Sequence, residues 1–461
     1  MTDRRKQFLK VPYGGYHNDP IPDEDPTLTH VEKGSRAGDL IRRYWQPVCL
    51  SEEVGELPHR VRAFGEDFVV FRTKDKTVGI LDLHCAHRGT SLEFGMCEGD
   101  GIRCCYHGWL FGCDGRIIET PGDPPNSKLK DRLFQGAYRA KEYKGIIFGY
   151  FGPPDTVPDF PIYDSYDVDG NEMRPYSINY PCNWLQVHEN VMDPAHAVFL
   201  HTRISYSHFA DIWGELPDMK FQETPTGMIY VTTRRSENNV WLRSNDIILP
   251  NLAQVGHIWE DGKHSYKEFA RVAITRWTLP VDNENCKIIG WRHFHEEVNP
   301  LGIGDPEKCG VESVDFVGQG GERSYEERQR VPGDYDAQVS QRPIARHGLE
   351  HLTHCDKGVV MLRRLLLREI RNLEDGGAPH TSAVSNSEGV IPTYCHDSVL
   401  HIPKREGDED DALLDQVALT VTDIIVNGDH LGKDDRIPHV REKIKAYVAT
   451  LQDIETESEP V

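Results

Sequence analysis

The stretch 82-DLHCAHRGTSLEFGMCEGDGIRCCYHGWLFGCDGRI-117 contains two pairs of cysteine and histidine, and these pairs decide how the N-terminal part of the chain is interpreted. Cys85 and His87 form the first pair, and Cys104 and His107 form the second pair after sixteen intervening residues. A chain of 461 residues can bury a large core without a disulfide or a structural metal. Two thiols and two imidazoles at this spacing therefore indicate a chemical role for these side chains and not a purely structural one.

These four side chains are the ligand set of a 2Fe-2S cluster in which two cysteines hold one iron and two histidines hold the other. A zinc site uses the same residue types and is the alternative. Zinc fingers usually pair Cys with Cys and His with His, whereas each of these two loops mixes the two types. The pattern favours the iron–sulfur cluster, with Cys85, His87, Cys104 and His107 as its ligands.

The segment 85-CAHRGTSLEFGMCEGDGIRCCYHGW-109 resembles the cluster motif of Rieske proteins, including Gly89 and the HGW triplet. The Rieske proteins of respiratory cytochrome bc complexes carry two further cysteines, which form a disulfide between the loops. Thr90 and Tyr106 stand at those two positions in this chain. The chain therefore resembles the oxygenase branch of the family.

Composition narrows the range of partners and locations. The chain has 52 Lys and Arg against 74 Asp and Glu, a formal net charge of −22, which repels nucleic acids and anionic membranes. The N-terminus lacks the apolar core of a signal peptide, and we find no apolar run of the roughly 20 residues that a spanning helix needs. We expect no nucleic-acid partner, no membrane association and a cytoplasmic location. Eleven unevenly spaced cysteines fit a reducing compartment.

We expect an α+β fold with three parts. Residues 1–44 form an extended arm and a helix, and the helical pattern runs from about Arg36 to Leu50. Residues 45–155, with short β-prone runs and Gly and Asp turns, predict an all-β Rieske domain. The Pro- and Asp-rich stretch GPPDTVPDFPIYDSYDVDG reads as a linker. Residues 156–461 predict a catalytic domain in which helices cover an antiparallel sheet and which holds a mononuclear iron.

A second group of residues lies in 183-NWLQVHENVMDPAHAVFLH-201, where Asp193, His196 and His201 follow each other. Five residues of a regular helix turn through about 140° beyond one revolution, so the two histidines cannot face one metal from an ideal helix. A local bulge would bring them together, and Pro194 favours such an irregularity. Two His and one carboxylate form the facial triad of mononuclear non-haem Fe(II).

The pattern EN-x-x-D-x-x-H-x-x-x-x-H resembles the iron site of Rieske non-haem iron oxygenases and is matched by Glu189, Asn190, Asp193, His196 and His201. The resemblance implies that His196 and His201 bind the iron. It implies that Asp193 is not a ligand but bridges an iron-bound histidine to a Rieske histidine of a neighbouring subunit.

The third ligand is implied to be a carboxylate far downstream. The segment 332-PGDYDAQVSQRPIARHGLEHLTHCDKGVVMLRR-364 resembles this region in the branch typified by phthalate dioxygenase, and its register favours Asp334. Asp336 is the alternative ligand. Either residue can also act as a helix cap, for which Asp is a preferred type.

The resemblance implies an O2-dependent oxygenase component with a Rieske 2Fe-2S cluster and a mononuclear Fe(II). Electrons are expected from NAD(P)H through a separate reductase, with or without a ferredoxin, because no Gly-rich strand-to-helix turn for a nicotinamide or flavin is visible. The bridge between subunits implies a head-to-tail ring, expected to be a homotrimer.

The expected substrate is a small aromatic carboxylic acid. Arg243 and Asn245, in VWLRSNDIILPNLAQ, are candidate anchors for its carboxylate, because Arg suits bidentate contact; a surface Arg on a strand is the alternative. We predict O-demethylation of a methoxylated, lignin-derived aromatic acid with release of formaldehyde. Ring cis-dihydroxylation of an aromatic carboxylate is one alternative, and a non-enzymatic Rieske electron carrier is another.

Overall fold

The computed structural model describes residues 9, 11–18, 20–166, 168–204, 208–263, 266–380 and 389–456. Its α-helices are α1 (Pro26–Thr29), α2 (Arg36–Ile41), α3 (Trp184–Glu189), α4 (Ala195–Val198), α5 (Tyr325–Arg330), α6 (Asp334–Val339), α7 (Lys357–Glu374), α8 (Asp408–Asn427) and α9 (Lys433–Thr456). Its strands are β1 (Gln46–Leu50), β2 (His59–Ala63), β3 (Glu66–Arg72), β4 (Val78–Asp82), β5 (Met96–Glu98), β6 (Gly101–Arg103), β7 (Leu110–Gly112), β8 (Ile117–Glu119), β9 (Ala137–Tyr143), β10 (Ile146–Tyr150), β11 (Ile162–Tyr163), β12 (Glu172–Tyr180), β13 (Asp218–Thr224), β14 (Gly227–Ser236), β15 (Asn239–Ile248), β16 (Leu252–Val255), β17 (Lys267–Ala270), β18 (Ile274–Pro280), β19 (Cys286–Phe294), β20 (Val390–Ile391) and β21 (His396–His401).

The N-terminal strands form two small antiparallel sheets. Six strands pair in the order β1-β10-β9-β4-β3-β2, and four strands pair in the order β5-β6-β7-β8. The loop between β4 and β5 carries Cys85, and the loop between β6 and β7 carries Cys104. The two sheets share a buried core that includes Val69, Leu81 and Phe111. The tips of two hairpin-like loops therefore lie on a rigid β scaffold.

The second part of the chain is built around a nine-stranded sheet. Its main path is β12-β19-β18-β16-β15-β14-β13, and β21 pairs with both β15 and β17. The longest pairing joins β14 and β15 over ten residue pairs, from Gly227 opposite Ile248 to Ser236 opposite Asn239. Helices α3 and α7 pack on this sheet, as do α8 and α9. The predicted α+β class, an all-β Rieske part followed by a helix-covered antiparallel sheet, is confirmed; the boundaries at residues 44 and 155 stay predictions.

The predicted helix from Arg36 to Leu50 is wrong in its second half. The helix ends at Ile41, and Gln46–Leu50 is a strand whose five residues are all buried. This strand pairs antiparallel with Ile146–Tyr150. Sheet pairing and burial on both faces outweigh the local helical pattern.

The predicted linker is packed against the rest of the protein near its end. The Asp164 carboxylate accepts hydrogen bonds from Arg271 (2.8 Å), from the Thr393 hydroxyl (2.6 Å) and from Arg436. Arg436 belongs to α9, so this network ties the C-terminal helices to the sheet and to the start of the second domain. The sequence pattern did not place these helices.

Among the helices in the described part of the chain, none combines the length and the apolar character needed to cross a membrane.

We predict that Asp164→Asn lowers the free energy of unfolding by about 3–5 kcal/mol, because it leaves two buried guanidinium groups without a carboxylate. The measurement is the midpoint of urea unfolding. Glu374→Gln is the matched control, since it removes the exposed ion pair with Arg36 and should move the midpoint little. Equal midpoints for the two variants would contradict the structural role of Asp164.

Candidate active site

The two loops with the cysteine and histidine pairs have the same backbone geometry. In each loop, the N–H of the glycine four residues after the cysteine donates to the cysteine carbonyl, at 2.8 Å for Gly89 and Cys85 and at 3.1 Å for Gly108 and Cys104. These glycines have φ of 75° and 74°, a left-handed conformation that side chains with a Cβ rarely adopt. The chain thus presents two equivalent turns side by side.

The thiols and the imidazoles of these loops differ in exposure. Cys85 and Cys104 are buried, at 4% and 2% exposure, whereas His87 and His107 are exposed and have ring centroids 4.6 Å apart. The His87 ring stacks on Trp109 at 4.6 Å with an interplanar angle of 6°. Burial raises the pKa of the Cys85 thiol to about 11, so a bound metal would have to displace its proton. The donor set fits a Rieske cluster with outward-facing histidines.

The segment with Asp193, His196 and His201 departs from a regular helix, as expected. After α3 comes a 3-10 turn, Asn190–Met192, and then the short α4. A π-helix, Phe199–Ile204, follows and contains His201. The wider π turn changes the direction of His201 relative to His196, and their ring centroids are 5.3 Å apart.

In the described parts of the chain, His196, His201 and Asp334 are a group of His, Cys, Asp or Glu residues whose ligand atoms come close enough together to hold a single metal ion. Those atoms all lie within 4.8 Å of one another. Asp334 Oδ1 is 3.2 Å from His201 Nε2 and 3.4 Å from His196 Nε2. Two imidazoles and one carboxylate in this arrangement fit the facial triad of a mononuclear iron.

The surroundings separate Asp334 from Asp336. Asp334 is buried at the first residue of α6; burial alone would raise its pKa, but the facing His201 and His196 hold that pKa well below its ordinary value. Asp336 accepts from Arg323 and Arg328, each at 2.5 Å, and from the Gly333 N–H at 2.9 Å. The carboxylate of Asp336 is therefore occupied in ion pairs and in capping α6.

Two further residues contact this group and were missed by sequence reasoning. Gln319 Nε2–H donates to Asp334 Oδ2 at 2.7 Å, and His208 Nδ1 lies 3.0 Å from His201 Nδ1. Burial lowers the pKa of His208 to about 4, so this ring is neutral near pH 7. Nothing in the sequence pattern singled out either residue.

Asp193 lies at the edge of the group. Its Oδ1 accepts from the Ala195 N–H at 3.1 Å and from the His196 N–H at 3.4 Å, and its carbonyl oxygen contacts His196 Nδ1. Its side chain keeps 28% of its surface exposed. Asp193 therefore connects the His196 imidazole to the protein surface.

A cavity of about 70 Å³ opens beside the three candidate ligands. Its wall includes the aromatic side chains of Phe209, Trp213, Tyr230 and Phe316. Since a single water needs about 10–15 Å³ by this measure, the space suits a compact, largely apolar molecule.

Arg243 and Asn245 line this cavity, so the alternative of a surface arginine is wrong. The charge of Arg243 is matched by the buried Asp397 at 3.4 Å, and its Nη groups donate to the carbonyls of His257 (2.5 Å) and Gly256 (3.2 Å). Asn245 Oδ1 accepts from the Gly256 N–H at 3.1 Å. Both candidate anchors already have protein partners; their role toward a substrate stays a prediction.

Two family models match the chain. Residues 44–138 match the Rieske [2Fe-2S] domain. This segment contains the two loops with Cys85 and Cys104, called here the twin loops. Residues 180–282 match the C-terminal domain of vanillate O-demethylase oxygenase, which contains Asp193, His196 and His201.

Relatives of known function extend these matches over nearly the whole chain. It is 41% identical over 460 residues to the oxygenase subunit of a tert-butanol monooxygenase / tert-amyl alcohol desaturase from Aquincola tertiaricarbonis, covering 95% of this chain and 97% of that protein. It is 35% identical to phenoxybenzoate dioxygenase subunit alpha from Ectopseudomonas oleovorans, covering 80% and 90%. NdmB of Pseudomonas putida CBB5 shares the fold, with a TM-score of 0.57, 19% identity and coverage of 78% and 98%.

Three observations indicate the same family. They are the similarity to oxygenase subunits over nearly the whole chain, the match to the Rieske domain, and the two groups of ligand-type residues. Members of this group combine a Rieske 2Fe-2S cluster with a mononuclear iron, use O2, and receive electrons from NAD(P)H through a reductase. The chain belongs to the Rieske non-haem iron oxygenases, as the oxygenase component of a multicomponent system.

Proposed function

We propose that this oxygenase component hydroxylates a methyl group of a small substrate, and that the substrate is a methoxylated aromatic carboxylic acid that is O-demethylated. The observation that carries the proposal is the group of His196, His201 and Asp334 beside a small, aromatic-walled cavity. The match to a vanillate O-demethylase domain over residues 180–282 supports the demethylation. Membership of an enzyme family sets aside the non-enzymatic carrier.

In this proposal, the cluster and the iron have separate ligand sets. Cys85 and Cys104 would hold one cluster iron, and His87 and His107 would hold the other. His196 and His201, each through Nε2, and Asp334, through a carboxylate oxygen, would hold the mononuclear iron.

The neighbours of these ligands fix their orientation. With His201 Nε2 on the metal, His201 Nδ1–H donates to the neutral His208, while Gln319 holds Asp334 Oδ2. Such outer contacts set ring orientation and ligand basicity at metal sites.

The bound iron supplies O2 activation, with two electrons and two protons needed for each O2. One oxygen atom enters a C–H bond of the methoxy group, and the other leaves as water. The hydroxymethyl ether then releases formaldehyde and a phenol. The residues of the chain would hold the methyl group beside His196, His201 and Asp334 and exclude water, because the aromatic wall of the cavity leaves little free volume around a bound substrate.

Electron supply requires partners. The proposal includes a separate NAD(P)H-dependent reductase, with or without a ferredoxin, and a homotrimer in which the exposed His87 and His107 of one subunit approach Asp193 of the next. The exposure of the two rings and of the Asp193 carboxylate supports this contact. Division into residues 1–44, 45–155 and 156–461 and a cytoplasmic location remain part of the proposal.

A second candidate function is hydroxylation of a small tertiary alcohol. The 41% identical relative acts on tert-butanol, whose C–H bonds all lie on methyl groups, and the small cavity suits such a compact molecule. Ring cis-dihydroxylation of an aromatic carboxylate is the third candidate, supported by the 35% identical phenoxybenzoate dioxygenase subunit.

The deciding test is a single turnover of the chemically reduced protein with O2 and a panel of methoxylated aromatic acids, unmethylated aromatic acids and tert-butanol. We expect formaldehyde and a product that has lost a methyl group. A product with two new hydroxyls and no formaldehyde would make the protein a ring dioxygenase. Hydroxylated tert-butanol with unreacted acids would establish the second candidate.

We predict that Asp334→Asn lowers the iron content from about three to about two atoms per chain and abolishes turnover, while the visible spectrum of the cluster is retained. Asp336→Asn is the matched control two residues away; it should keep all the iron and lose only stability. The measurements are iron analysis and visible absorption. Loss of iron in Asp336→Asn, with retention in Asp334→Asn, would exchange the two assignments.

We predict that Asp193→Asn retains both metal centres and lowers coupled turnover by about 10- to 100-fold, because the contact between the two histidine systems loses its charge. Rapid-mixing oxidation of the reduced cluster by O2 in the presence of substrate measures this step. Asp211→Asn, an exposed residue nearby, is the control and should leave the rate unchanged. An unchanged rate in Asp193→Asn would remove this residue from the electron route.

A further inference from the structure

Arg276 occupies an unusual place in the active-site cavity. It lies on β18, opposite Ala253 on one neighbouring strand and Gly290 on the other, and it lines the same cavity as the three candidate iron ligands. The residue is only 7% exposed, and its Nε is buried without a hydrogen-bond partner. A guanidinium group is thus turned toward the substrate space and away from bulk water.

The other buried arginines of the described chain have partners, and Arg276 does not. Five of them pair with carboxylates, and Arg234 donates to the Glu215 carbonyl and lies over two tryptophan rings. The five pairs are Arg42 with Glu66, Arg243 with Asp397, Arg271 with Asp164, Arg292 with Asp315, and Arg436 with Asp164. Within the described residues, no hydrogen bond or ion pair satisfies the side chain of Arg276.

The buried titratable groups on which the charge of Arg276 acts do not supply a negative charge either. Its charge acts on His188, Tyr176, Tyr180 and Cys286. Burial lowers the pKa of His188 to about 3 and raises the pKa of Tyr176 to about 12. Burial also raises the pKa values of Tyr180 and Cys286 well above their ordinary values. All four groups are therefore neutral near pH 7. The ionised carboxylate that shares the cavity, Asp334, faces His201 and His196 and accepts from Gln319, so it makes no ion pair with Arg276.

An uncompensated buried charge is costly, and proteins keep such groups where a ligand provides the missing partner. Arg is the side chain best suited to bind a carboxylate through two parallel N–H donors. Arg243, the candidate from the sequence, already has Asp397 as its partner. Arg276 is therefore the arginine of this cavity whose N–H donors are free to bind a carboxylate.

We propose that Arg276 binds the carboxylate of the substrate and thereby selects organic anions over neutral molecules. This inference rests on the proposed function, since it assigns a substrate group to the same cavity. A carboxylate held at Arg276 would fix which carbon of the substrate faces the iron ligands. It would also separate the two leading candidate functions, because an acid can use this contact and a neutral alcohol cannot.

The test measures binding by calorimetry to the metal-loaded protein, so it does not depend on turnover. The probes are two carboxylates, benzoate and pivalate, and two neutral molecules of similar shape, benzamide and tert-butanol. The variants are Arg276→Gln, which removes the charge, and Arg276→Lys, which keeps it. Thr278→Val is the matched control, since this residue lies two positions further along β18 and does not line the cavity.

We expect Arg276→Gln to weaken carboxylate binding by about 10- to 100-fold, the loss typical of a hydrogen-bonded charged contact. Neutral probes should bind with unchanged affinity, Arg276→Lys should fall in between, and Thr278→Val should match the wild type. The thermal midpoint of Arg276→Gln should stay the same or rise, because the variant removes an unpaired buried charge. A purely structural role predicts a lower midpoint and equal losses for all probes, and would overturn the proposal.

Two other outcomes would also overturn it: equal carboxylate affinity in Arg276→Gln and wild type, or a wild type that binds tert-butanol but neither acid. Failure of the proposed reaction is distinguishable. If acids bind through Arg276 but release no formaldehyde in the single-turnover assay, the demethylation is wrong and the anion site stands. If demethylation proceeds at the same rate in Arg276→Gln, the reaction stands and the anion site is wrong.

Discussion

The contact of Asp334 with His196 and His201 is the constraint on which the rest of the site depends. It joins segments 133 residues apart and brings one carboxylate oxygen within 3.4 Å of two imidazole nitrogens. The geometry requires a π-helical turn on one side and the first residue of α6 on the other. Three donors that converge in this way, with open space beside them, suit the binding of a metal and a small molecule together.

The nine-stranded sheet supplies the cavity wall that faces those ligands. It places two arginines in that wall and gives a carboxylate partner to only one of them. Arg243 on β15 and Arg276 on β18 face the same cavity, yet only Arg243 has a carboxylate, from β21. The C-terminal part of the chain therefore shapes the active site indirectly: β21 neutralises one arginine, and α9 holds the start of the domain through Arg436 and Asp164. The positive charge of Arg276 has no such partner and is therefore available to a substrate.

Local patterns succeeded where chemistry depends on short spacing. The twin loops of Cys85 and Cys104 close within six residues, and their glycines adopt the left-handed turns such loops need. The conflict between five-residue spacing and a regular helix correctly indicated an irregularity before His201. Patterns failed where partners are distant: Gln46–Leu50 reads as a helix but becomes a strand because Ile146–Tyr150 pairs with it. Gln319, His208 and Arg276 likewise carry no local signal.

The sequence by itself determined the family, the α+β class and the identity of the ligand-type residues, because these depend on residue types at short, characteristic spacings. Only the tertiary structure distinguishes Asp334 from Asp336, since both have the same chemistry and differ in their neighbours: His201 faces Asp334, and Arg323 pairs with Asp336. Arg243 and Arg276 likewise have the same chemistry, and only the tertiary structure shows that a carboxylate pairs with Arg243 alone. Whether a buried charge is satisfied depends on residues that the fold brings from elsewhere, and no spacing along the chain records that.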